Sequence, residues 1–124
     1  MSTQTNSLTY TLDGDLTINR LGYGAMQLTG SGVFGEVADR DKAKKVLQAV
    51  VAGGVNFIDT AEAYGPKYNE TLIAEALQPY ASGLVIATKG GFDRPGPNKW
   101  VPNGDPKYIQ ENIEGSLQRL NVDR

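Results

Sequence analysis

Three residues of different chemistry stand where a parallel β-sheet usually carries its reactive groups, at the C-terminal ends of strands. Asp59 closes the apolar run 55–58, Tyr64 lies five residues further on, and Lys89 follows the apolar run 84–88. Neighbouring parallel strands lie about 4.8 Å apart, so Asp59 and Lys89 can meet across one gap. A phenol ordinarily holds its proton up to a pH of about 10. A cation against the phenolic oxygen favours the phenolate, and a carboxylate paired with that cation keeps it charged and in place. Such a trio is a tunable acid or base, able to protonate a carbonyl as it is reduced or to deprotonate an alcohol as it is oxidised. Taken singly, each residue also has a structural reading: a solvated lysine, an aspartate in a turn, a tyrosine packing its ring.

The rest of the composition narrows the chemistry further. The 124 residues contain no cysteine and no histidine. Disulfides, thiolate nucleophiles, the commonest general base and the commonest metal ligands are thereby excluded, and we expect no metal site. Twelve Lys+Arg stand against 14 Asp+Glu, a net charge of -2, which argues against a nucleic-acid partner. A hydrophobic share of 40% with 21% charged residues is that of an ordinary globular chain. No run approaches the roughly 20 apolar residues of a membrane span. Residues 1–7 read as a polar tail without the basic-then-apolar pattern of a secretory signal, so the expectation is a cytoplasmic protein with no membrane partner. The glycine-rich stretch Gly22-Tyr23-Gly24-Ala25-Met26-Gln27 has glutamine where a dinucleotide-binding fingerprint needs its third glycine. A phosphate-binding P-loop motif is absent from the sequence.

The elements that must position the trio can be read from periodicity and turn chemistry. Residues 8–12 alternate, Asp13-Gly14 supplies a turn, and residues 16–18 return, which predicts a hairpin. A brief strand over 20–24 runs into a loop holding Gly30, Gly32 and Gly35. A helix follows, capped by Asp39 or Asp41, with Val46, Leu47, Val50 and Val51 on one face and Gly53-Gly54 as its stop. The strand 55–58 ends at Asp59. A second helix is predicted after a cap at Asn69, with Leu72, Ile73, Ala76 and Leu77 on one face. The run 84–88 has the low polarity of a strand covered on both faces. Residues 90–104 read as one long Pro/Gly loop, and Asp105-Pro106 opens a third helix carrying Ile109, Ile113, Leu117 and Leu120. A hairpin followed by three strand–helix units implies a parallel sheet.

The stretch Asn56-Phe57-Ile58-Asp59-Thr60-Ala61 with Ala63-Tyr64-Gly65 resembles the signature of the aldo-keto reductase family. Glu70, the helix pattern 72–77, Leu21-Gly22-Tyr23-Gly24, the run 85–90 and Gly115-Ser116-Leu117-Gln118-Arg119-Leu120 continue the resemblance in unbroken order over residues 8–124. It is most similar to the bacterial general aldo-keto reductases. The resemblance implies an α/β fold, the N-terminal half of a (β/α)8 TIM barrel with a bottom hairpin and three βα units. It also implies reduction of a small carbonyl substrate with NADPH, bound without a Rossmann motif. Carried over by motif, Asp59 supports the lysine, Tyr64 is the general acid, and Lys89 eases its proton release. Gly24, Ala25 and Met26, together with Asp59, then face the nicotinamide end of the cofactor.

The family's tetrad is completed by a histidine at the end of the fourth strand, and its later loops hold the cofactor phosphates. This chain has no histidine, and a full barrel takes about 250 residues. The expectation is therefore an incomplete barrel, with weak or no NADPH binding on its own and a tendency to self-associate or to pair with a complementary C-terminal half. A non-catalytic half-barrel interaction module and an inactive truncated product are the alternative readings. The loop 90–104, with Phe92 and Trp100, is expected to border the substrate pocket.

Overall fold

In the computed structural model, which describes residues 8–124, the chain opens with an antiparallel hairpin of β1 (Thr9–Leu12) and β2 (Leu16–Asn19). The polar tail over 1–7 lies outside the described residues. Asp13 and Gly14 both take left-handed backbone angles, the conformation that a tight hairpin turn requires. The hairpin is largely exposed and is tied to the body through asparagines. The Asn19 backbone N–H donates to Asn56 Oδ1 at 2.6 Å, and the Asn19 side chain donates to the Gly54 carbonyl.

Three strands then form a parallel sheet in chain order: β3 (Tyr23–Gly24), β4 (Phe57–Asp59) and β5 (Val85–Ala87). Its register sets Gly24 beside Asp59 and Asp59 beside Ala87. The crossover from β3 to β4 carries α1 (Arg40–Ala52), and the crossover from β4 to β5 carries α2 (Tyr68–Leu77). Beyond β5 come two short strands, β6 (Phe92–Asp93) and β7 (Val101–Pro102), and then α3 (Pro106–Leu120). The order of one hairpin and three strand–helix units is as the sequence predicts.

Local chemistry sets the helix ends. Asp39, rather than Asp41, caps α1 by accepting from the Lys42 N–H at 3.0 Å. Asp105 caps α3 in the same way for Lys107, with Pro106 at its first position, where a missing N–H costs nothing. Helix α2 corrects the sequence reading. It begins at Tyr68 after Lys67, which sits in a left-handed conformation, and Asn69 is a fully buried residue of the first turn rather than the cap.

Two further corrections concern strands. Residues 90–104 are not a plain loop, because β6 and β7 pair antiparallel with Phe92 opposite Pro102. Two-residue strands interrupted by proline fall below any periodicity signal. Strand β5 is not fully buried either: all three of its residues are half-buried, and among the described residues it is an edge strand of the sheet. Along that side run two apolar clefts, one of about 290 Å³ between Ile86, Ile113 and Leu117, the other of about 360 Å³ near Leu16, Leu84 and Val85.

The core lies between β4 and the helices. Leu47, Ile58 and Ile73 are completely buried, and Ala25, Ala43, Leu72, Ala76 and Leu120 pack with them. Each large member contributes on the order of 1.5–3 kcal/mol by leaving water. No helix among the described residues is long and apolar enough to cross a membrane.

Candidate active site

Asp59 is the last residue of β4, and its backbone carbonyl accepts the Ala25 N–H at 2.9 Å, which fixes the start of the loop after β3. Lys89 lies two residues past β5 rather than at its last position. The Thr60 N–H donates to the Ala87 carbonyl and the Glu62 N–H to the Lys89 carbonyl, so backbone bonds continue to lace the two chains beyond the strands. This lacing brings the Lys89 ammonium to Asp59 Oδ1 at 2.7 Å and to the Thr60 carbonyl at 2.7 Å. Both side chains are about half exposed, 51% for Lys89 and 44% for Asp59, so the pair faces the open end of the sheet.

Tyr64 stands in the turn that leads to α2. Its N–H donates to the Ala61 carbonyl, and its own carbonyl accepts from Asn69. The Lys89 ammonium lies 5.6 Å from the centroid of the Tyr64 ring. The sequence-predicted trio is therefore brought together. An ammonium has three hydrogens; two of those on Lys89 are directed at Asp59 and Thr60, and the third is not committed to either.

Beside the trio opens a cleft of about 340 Å³, lined by Met26, Ala61, Ala63, Tyr64, Phe92 and Trp100 together with Lys89 and Gly90. Trp100 meets Tyr64 edge to face at 6.3 Å and Phe92 at 5.8 Å. Of the residues expected at the nicotinamide end, Gly24 is exposed and Met26 lines this cleft, whereas Ala25 is fully buried in the core. A Cβ added at Gly24 would meet no atom within 4 Å, so open space lies directly above the strand end next to Asp59. Open ground at Gly24 and an apolar wall beside it fit the neutral ring of a reduced nicotinamide. Among the described residues Lys89 is the only cation lining this cleft, and it is already paired with Asp59.

Of the other functional candidates only Glu70 was marked in the sequence, as part of the family pattern. Asn69, which sequence reasoning placed as a cap, accepts from Thr60 Oγ1 at 2.6 Å and donates to the carbonyls of Ala25 and Leu28. It thereby locks the loop that carries Met26. Glu70 is wholly buried and accepts from Thr88 Oγ1 at 2.7 Å and from Arg119 Nε at 2.8 Å, joining α2, α3 and the chain just before Lys89. Glu62 is 4% exposed, and burial raises its pKa, with Arg119 and Lys67 opposing and Glu70 and Asp93 adding to the shift.

Arg94 is 6% exposed, and its guanidinium donates to four backbone carbonyls, those of Gly32, Val33, Ala63 and Lys99. Burial lowers its pKa from the usual arginine value. The only sequence signal for it is an arginine set among prolines and glycines six residues before Trp100.

A parallel strand–helix series with an Asp–Lys pair and a tyrosine at the strand ends defines a class. Residues 20–124 match the family model of the aldo/keto reductase family, and the chain belongs to that family. Among curated relatives it is 47% identical over 109 residues to an uncharacterized oxidoreductase of Schizosaccharomyces pombe, covering 88% of this chain and 35% of the relative. It is 46% identical over 118 residues to pyridoxine 4-dehydrogenase of Escherichia coli, covering 95% and 41%.

Among solved structures, the holo form of an aldo-keto reductase of Bacillus halodurans superposes with a TM-score of 0.72 at 33% identity, over 88% of this chain and 34% of that one. The glycerol dehydrogenase of Gluconobacter oxydans gives 0.78 at 27% identity, over 93% and 36%. The fold is the N-terminal part of a (β/α)8 barrel, and the chain spans well under half the length of these relatives.

Proposed function

We propose that this chain is the tyrosine-bearing part of an NADPH-dependent reductase that converts a small aldehyde or ketone to an alcohol, and runs the reverse reaction when alcohol is in excess. The reading rests on one observation above all: the Lys89 ammonium is held at 2.7 Å by Asp59 and lies beside the Tyr64 ring at the open end of the sheet.

In this reading Tyr64 donates its phenolic proton to the carbonyl oxygen as the carbon is reduced. The phenolate left behind is stabilised by Lys89, whose position is fixed by Asp59 and the Thr60 carbonyl. Gly24 and Met26 would hold the nicotinamide end of NADPH, which when bound would supply the hydride. Proton and hydride together account for the two electrons and two hydrogens that the alcohol gains. Phe92, Trp100 and Met26 form an apolar wall for the substrate. Two relatives are named as dehydrogenases of the alcohols pyridoxine and glycerol, which supports alcohol–carbonyl chemistry at this site.

The remaining barrel strands, with the tetrad histidine and the phosphate-binding loops, would come from further chain or from a complementary half seated along the β5 edge. Tyr64→Phe in the protein at its native length tests the reading. Carbonyl-dependent loss of NADPH absorbance should fall to background while NADPH still binds; turnover at the parent rate in that variant would remove Tyr64 as the acid.

A further inference from the structure

Arg94 is a buried cation that forms no ion pair among the described residues. Its Nε donates to the Lys99 carbonyl at 2.7 Å, one terminal nitrogen donates to Val33 and Ala63 at 2.9 and 2.7 Å, and the other donates to Gly32 at 2.9 Å. Those carbonyls belong to three separate loops, which follow β3, follow β4 and join β6 to β7. The guanidinium plane also lies against the Trp100 ring, 3.6 Å from its centroid, with Phe34 at 6.0 Å. Arginine is suited to this because its planar fork carries five donors and is weakly enough hydrated to stack on an aromatic face. A lysine has three donors on one point and cannot lie flat on the ring.

The opposite side of the geometry leads into the cleft. Trp100 touches Tyr64 and Phe92 edge to face, and all three line the space beside the Asp59–Lys89 pair. Ala63, whose carbonyl Arg94 holds, immediately precedes Tyr64. A side chain outside the cleft therefore fixes both an aromatic wall of it and the backbone next to the phenol.

We propose that Arg94 is a positioning residue that sets substrate selectivity: by clamping three loops and backing Trp100, it holds an aromatic wall that accepts carbonyl compounds bearing a planar ring. The selectivity arm rests on the reductase reading above; the clamp itself does not. A small aliphatic aldehyde has no ring to set against Trp100, so its KM depends less on the clamp than that of a ring-bearing one.

The test compares the parent, Arg94→Lys and Trp100→Phe at native length, with 4-nitrobenzaldehyde and propanal as probes. For Arg94→Lys, KM for 4-nitrobenzaldehyde should rise about tenfold, the scale of one lost aromatic contact, and several times more than KM for propanal, while any fall in kcat from the loosened Ala63 backbone should be shared by both aldehydes. The Trp100 emission, taken as the parent spectrum minus that of Trp100→Phe, should shift to the red and become more open to acrylamide. Equal KM changes for both aldehydes, or an unshifted Trp100 emission in folded Arg94→Lys, overturn the proposal. Should Arg94→Lys not fold, acrylamide quenching of Trp100 in the parent decides: weak quenching supports the clamp, and quenching as fast as that of free tryptophan amide overturns it. Absence of turnover with either aldehyde in the parent would count against the reductase reading alone, and the emission result would still decide on the clamp.

Discussion

Lys89 has two of its hydrogens fixed on Asp59 and Thr60, so the reach of its charge is set by neighbours on a different strand. Replacing it with methionine keeps the length and removes the cation; the proposed proton transfer should then slow by about a hundredfold or more, measured as kcat on any accepted aldehyde. Glu62 gives a separate expectation about pH. Burial favours its neutral form in the folded chain, so its folded pKa lies above the ordinary 4.5. Its contribution to stability is complete below that ordinary value and declines as pH rises through the raised one, because the unfolded chain releases the proton first. Glu62→Gln cannot titrate. Its melting temperature relative to the parent should therefore climb as pH increases from the acid side of 4.5 toward neutrality, and a difference that stays flat would show that Glu62 titrates normally. The neighbourhood of Asp59 and Lys89 was legible in the sequence because strand ends can be read from apolar runs, whereas the part given to Tyr64 came from the family resemblance. Glu62 and Arg94 were not, since what distinguishes them is burial inside loops, and loops have no period from which burial can be inferred.

At the scale of elements, the polar ties matter as much as the apolar stripe. Glu70 links Arg119 of α3 to Thr88 while itself lying in α2. Arg119→Ala leaves a fully buried carboxylate without its cation, and the expected cost is about 3–5 kcal/mol in a urea-unfolding measurement. Glu70 was visible in the sequence only as part of a family pattern. Its partner sits 49 residues away, a separation that no local signal spans. The helices themselves were legible because capping chemistry and helical spacing agree over α1 and α3. Helix α2 started early because Lys67 enters from a left-handed turn, so that Asn69, a residue type that normally marks a boundary, could be drawn inside to hold the loop carrying Met26. The β6–β7 pair escaped for the opposite reason, being too short to repeat anything.

For the molecule as a whole, the outer side of β5 decides the behaviour. An unpaired parallel edge beside two apolar clefts is a template for further strands. The 124-residue chain expressed alone should sediment as an associating species rather than as a monomer; a single monomeric boundary with cooperative unfolding would show that the edge is self-sufficient. At the other end of the sheet the frame is closed more tightly, and the manner of closing has a consequence for how such a site can change. Arg94 grips Val33, Ala63 and Lys99 by their carbonyl oxygens, a group that every amino acid brings to its position. Side chains at the two that are not buried, Val33 and Lys99, can be exchanged while the grip stays the same. The loops that frame the cleft are thus open to single-step mutational drift, on a scaffold that does not have to be rebuilt each time.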